Sequence, residues 1–136
     1  MPDRVILDSS VIAAIFFKEE SSERAERVAA NSQLITVDLA IAEVANVAWK
    51  RVVFFNESKG VALKALIKGI DFIVGACEVI SAKELIEDAF EIAIADKITI
   101  YDSLFIAASE RERVPLLTTD EKLYKKIKSK RSVKLI

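Results

Sequence analysis

The sequence predicts an α/β protein, a three-layer α/β/α sandwich built on a central parallel sheet of about five short strands. Short apolar runs alternate with longer segments of helical spacing along the chain. Breakers are scarce, with only three Gly and two Pro. Hydrophobic residues reach 52% beside 30% charged ones, a composition that supports a core and argues against disorder. At 136 residues the chain fits one domain, residues 1–136, that folds without disulfides or a structural metal.

Each element has its own signal. Residues 4–8 (RVILD) read as a short buried strand, and SSVIAAIFF after it changes to helical spacing, giving a strand-to-helix turn with Asp8 at its mouth. Residues 21–31 (SSERAERVAAN) are an amphipathic helix with Ser21 at its start, and QLITV is the second strand. Asp38 caps a helix running to about Phe55. Residues 59–74 form another helical segment, followed by the strand CEVIS. Ser81, with Glu84 three residues later, reads as a capping box for a helix to Lys97. Asp102 lies in the first turn of the helix YDSLFIAASERER, Pro115 introduces the strand PLLTT, and Asp120 begins a helix over residues 120–130. SVKLI is the fifth strand. In such sheets the active crevice lies beyond the strand C-termini, where strand order reverses.

Composition excludes several chemistries. The chain has no histidine, which removes Ser-His triads, Cys-His dyads and histidine-ligated zinc. The lone Cys77 sits in an apolar run and reads as a buried, idle thiol in a reducing, cytoplasmic setting. The apolar run VIL before Asp8 is too short for a signal peptide, and no uncharged stretch spans a membrane, so a soluble protein is expected. Net charge is only −1, but residues 122–134 (KLYKKIKSKRSVK) carry lysines and Arg131 without an acid, a tail that suits a solvated face or a phosphate backbone.

The acids carry the functional signal. Asp8 and Asp120 sit at strand C-termini, Asp102 opens a helix, and Glu43 lies about one turn inside the helix after the second strand. Asp8, Asp102 and Asp120 each have a competing role as helix caps. Glu43 does not, because it lies beyond capping range among Leu39, Ala40 and Val47; its alternative role is a side chain that reaches out to solvent or pairs with an arginine. Four carboxylates at one sheet edge, about 4 Å apart, repel by roughly 4 kcal/mol per pair at an effective dielectric near 20. The counterion that fits an all-oxygen donor set is Mg²⁺ or Mn²⁺, and such an ion suits phosphodiester hydrolysis. Asn46 shares the face of Glu43, while Ser9, Ser10, Thr118 and Thr119 supply hydroxyls that orient carboxylates or serve as turn groups.

The segments DSSVI, AEVANV, YDSLFIAAS and LLTTDEKL, in that order, resemble the PIN-domain family, especially the VapC-type toxins of prokaryotic toxin-antitoxin pairs. The resemblance runs from Val5 to Ile136. It implies a Mg²⁺- or Mn²⁺-dependent ribonuclease in which Asp8, Glu43 and Asp102 are the core metal ligands, Asp120 is the more variable fourth acid, and Ser10 and Thr118 stand near the metal. It also implies a metal-activated water as nucleophile, a homodimer, and a small cognate antitoxin covering the acidic site. Asp38 departs from the family, where proline commonly precedes this helix. Two rivals stand beside this reading: another phosphoryl-transfer domain, such as a receiver, and a non-enzymatic binding module whose acids only cap helices. A receiver would pair acids after its first strand and end a late strand in lysine, whereas Asp8 stands alone and the late strand ends in Thr-Thr-Asp.

Overall fold

A computed structural model describes residues 3–136. Five parallel strands, β1 (Asp3–Leu7), β2 (Ser32–Val37), β3 (Cys77–Ile80), β4 (Leu116–Thr118) and β5 (Val133–Leu135), form one sheet in the order β3-β2-β1-β4-β5. The apolar runs explain their place. Val5, Ile6 and Leu7 of β1 and Leu116 and Leu117 of β4 are buried at the middle of the sheet, and Ile6 pairs with Leu116 and Leu7 with Leu117.

The connections set the layers. α1 (Ser9–Phe16) and α2 (Ser22–Asn31) join β1 to β2, and α3 (Leu39–Phe55) and α4 (Lys59–Ala76) join β2 to β3. The chain then reverses, and α5 (Ala82–Asp96) and α6 (Ile100–Glu112) carry it back past β1 to β4, while α7 (Glu121–Ile127) leads on to β5. Right-handed crossovers put the first four helices on one face and the later ones on the other. The contacts agree: α1 packs on β1 and β4 and against α2, α3 and α4, whereas α6 packs on β1, β2 and β4 and is backed by α5. The strand order therefore switches between β1 and β4, and Asp8 and Asp120 follow their ends.

α6 is the helix most enclosed by the fold, buried continuously over residues 103–109. Its buried hydroxyls are satisfied inside the chain: Ser103 Oγ donates to Thr99 O at 2.8 Å and Ser109 Oγ to Val114 O at 2.5 Å. α3, α5 and α6 stop at Asn56, Lys97 and Arg113, each left-handed at φ 56–58°, with the cap N–H returned to a carbonyl of the last turn.

Several local expectations change. Asp38 stands before α3 in helical conformation without capping it; its Oδ1 accepts from Ala82 N at 3.0 Å, so the carboxylate caps α5 instead. A sequence window cannot show that β2 and β3 lie side by side and bring the two turns together. Ser81 caps α5 by accepting from Lys83 N, but Glu84 faces Arg111 at 3.7 Å rather than completing a box. Ser21 precedes α2 without a side-chain cap bond. The last helix ends at Ile127, leaving Lys128, Lys130 and Arg131 outside it. Cys77 is half-buried, and burial pushes its thiol up to about 11, so it stays protonated.

Candidate functional site

The first strand-to-helix turn holds the deepest acid. Asp8 is buried and caps α1, accepting from Ser10 N at 3.0 Å, Val11 N at 3.2 Å and Ser10 Oγ at 2.5 Å. Burial pushes its carboxyl up to about 6 against these bonds, and the nearby charge of Asp102 adds to the rise. Ser10 also binds the opposite turn, since Thr119 N donates to its Oγ at 2.9 Å and Thr118 Oγ1 lies 3.3 Å away. Thr118 Oγ1 in turn accepts from Asp120 N at 3.0 Å. A chain of hydroxyls thus fixes Asp120 relative to Asp8.

Glu43 has a partner of the kind its surroundings demand. Ser9 Oγ donates to Glu43 Oε1 at 2.6 Å, tying α3 to the start of α1. A neutral hydroxyl holds the carboxylate without cancelling its charge, as a positioned ligand requires. Asp102 is freed by a different cap: Thr99 Oγ1 accepts from Asp102 N at 3.1 Å, so Thr99 and not Asp102 caps the N-terminus of α6. Burial raises the pKa of Asp102, and the negative charges of Asp120 and Glu43 raise it further. Asp120 does cap α7, accepting from Leu123 N at 3.0 Å, and is exposed at the cleft.

All four acids line one cleft of about 330 Å³, together with Ser9, Ser10, Asn46, Lys50 and Phe105. Among the described residues they do not close into a ready-made set of three metal donors, and mutual repulsion favours that spread. The donors are all oxygen, and four acids against Lys50 leave the lining net negative, which fits a hard divalent cation.

The PIN domain family model matches residues 5–128. The chain belongs to the PIN domain family. Ribonuclease VapC3 of Pyrobaculum aerophilum is 37% identical over 124 residues, 90% of this chain and 94% of that protein. The crystal structure of VapC20 of Mycobacterium tuberculosis, described as a sarcin-ricin loop cleaving toxin, superposes with a TM-score of 0.69 at 15% identity, covering 89% of this chain and 93% of that one. VapBC2 of Rickettsia felis, solved with a DNA fragment from its promoter, gives a TM-score of 0.63 at 16% identity and covers 98% of each chain. These two structures share the fold.

In this PIN domain Asp8, Glu43, Asp102, Asp120, Ser10 and Asn46 all face the cleft, while Thr118 lies buried behind it. Sequence reasoning offered Ser9 both as a hydroxyl that orients carboxylates and as a turn group, and the first matches its bond to Glu43; it did not single out Lys50. A signal for Lys50 existed: residues 43, 46 and 50 share one helix face by spacing. Thr99 was equally readable as a cap three residues before Asp102.

Proposed function

We propose that this chain is a Mg²⁺- or Mn²⁺-dependent endoribonuclease and the toxin half of a type II toxin-antitoxin pair, acting in the cytoplasm as a homodimer. The observation that carries the reading is Glu43, a carboxylate beyond capping range that is hydrogen-bonded by Ser9 and shares a cleft with three more acids. The named ribonuclease among the relatives supports it. Among the described residues no helix is long and apolar enough to cross a membrane.

Asp8, Glu43 and Asp102 would hold the cation, with Asp120 at the open side. When bound, the cation supplies a water acidified for attack and offsets charge on the phosphate oxygens. The chain's own groups prepare that event. Ser9 and Ser10 orient Glu43 and Asp8, and Thr118 holds the turn that presents Asp120. Asp8 gives up its proton near pH 6, so its carboxylate is available at neutral pH.

The antitoxin is proposed to enter along α3. A groove of about 380 Å³ lined by Ala13, Val47, Arg51 and Phe55 shares Ser10, Val47 and Lys50 with the acid cleft. A segment seated there would reach the acids directly.

Calorimetric titration with Mn²⁺ tests the metal site without needing the RNA target. The wild type should bind and Glu43→Gln should lose most of that affinity. Equal binding by the two proteins would return Glu43 to a structural role and favour a non-enzymatic module.

A further inference from the structure

Four carboxylates repel a polyanion, and one divalent cation offsets only part of their charge. A nucleic-acid strand therefore needs cations beside the acids. We infer that a single-stranded polynucleotide crosses the acids between Lys50 on one shoulder and a pair, Lys122 and Lys126, on the other; this rests on the nuclease reading above.

The second shoulder is a cavity of about 380 Å³ lined by Lys97, Thr99, Lys122 and Lys126, and it shares Asp102 and Asp120 with the acid cleft. The two hollows are thus contiguous, with the acids as their common wall. Lys126 is held in place because its Nζ donates to Lys97 O at 2.6 Å, which leaves two of its three N–H groups for an anion. Lys50 stands on α3 past Glu43 and Asn46 and lines the other end of the acid cleft.

Arg131, Lys125 and Lys128 of the basic tail have partners of their own. Arg131 is bound to Asp96 at 2.8 and 2.9 Å and to Glu110 at 2.7 Å, and Lys125 faces Glu121 at 3.1 Å. Lys128 lies over the Tyr124 ring, 5.7 Å from its centroid. The tail is therefore not one continuous phosphate track. Two of its lysines flank the acids, and the seven-residue α7 that carries them is anchored on Asp120.

The test uses a fluorescently labelled oligouridylate in Mg²⁺, with anisotropy followed over a salt series, and Mn²⁺ calorimetry on every variant. Lys122→Ala/Lys126→Ala should weaken RNA binding about tenfold and flatten the salt slope by about 1.4, since two phosphate contacts are lost at about 0.7 each. Lys50→Ala should weaken it in the same direction. Lys128→Ala/Lys130→Ala, from the same tail, should bind RNA as the wild type does, and all variants should keep wild-type Mn²⁺ affinity. Equal losses in both double variants would show diffuse attraction by the tail and overturn the inference. So would wild-type RNA affinity in the Lys122/Lys126 variant, with Mn²⁺ binding intact and the nuclease reading untouched. A wild-type protein that binds neither Mn²⁺ nor RNA would overturn both.

Discussion

Asp8 accepts three hydrogen bonds and is still held protonated to about pH 6, because burial costs its charged form more than those bonds return. The folded carboxyl binds its proton more tightly than the unfolded one, so its contribution to stability is fully present below about pH 4. That contribution is lost as pH rises through 6. In a chelator, Asp8→Asn should therefore stabilise the protein by about 2 kcal/mol at pH 7 and change little at pH 4, as read from urea unfolding. The same variant should lose RNA cleavage. Because a cation competes with that proton, Mn²⁺ affinity of the wild type should climb up to about pH 6 and then flatten. Glu43 was legible in the sequence as an acid beyond capping range on an apolar face, but its partner was not. Ser9 is 34 residues away in the chain, and only the packing of α1 on α3 joins them.

At the scale of elements, alternating short apolar runs and helical segments were enough to place the five strands and seven helices of the described residues, since each carries its own periodicity. Features depending on neighbours in space were not legible. Asp38 caps α5 because β2 and β3 are adjacent, and the basic tail breaks up because Arg131 turns back to two helices. That arginine has a structural task. It meets the buried carboxylate of Asp96 at the C-terminal end of α5, where the helix dipole disfavours an acid, and Glu110 on α6, so it ties both helices to the approach to β5. Its hydrogen bonds hold Asp96 below the ordinary carboxylate range, so this contribution is present above about pH 4 and is lost on acidification through the lowered pKa. Arg131→Ala should cost about 2–3 kcal/mol at neutral pH in urea unfolding, because Asp96 is left buried and unpaired. Arg131→Ala with Asp96→Ala should recover part of that loss. An RNA contact at Arg131 would give the opposite pattern, with affinity changed and stability kept.

At the scale of the molecule, two apolar regions stand out among the exposed residues described. One is the C-terminal half of α3, where Trp49 and Phe54 meet edge to face at 5.4 Å and Phe55 is 70% exposed; Val61 and Ile67 of α4, the helix packed against α3, are exposed as well. The other is a stripe on α5, where Ile86, Phe90 and Ile94 recur every fourth residue and all face solvent. Surfaces of this kind mark protein contacts rather than solvated faces. The α3 region adjoins the groove that opens into the acids, so it suits the proposed antitoxin. The α5 stripe shares no residue with the cleft lining, and a single regular stripe can meet its own copy across a twofold axis, as an isologous interface requires. We therefore place the interface of the proposed homodimer on α5. Phe90→Glu should sediment as a monomer at concentrations where the wild type is a dimer, with Mn²⁺ binding unchanged, because a charge at the centre of a self-complementary patch faces its own image. Phe55→Glu should remain dimeric. A dimer broken by Phe55→Glu and kept by Phe90→Glu would exchange the two assignments, and would place the second copy against the cleft where the antitoxin is now drawn.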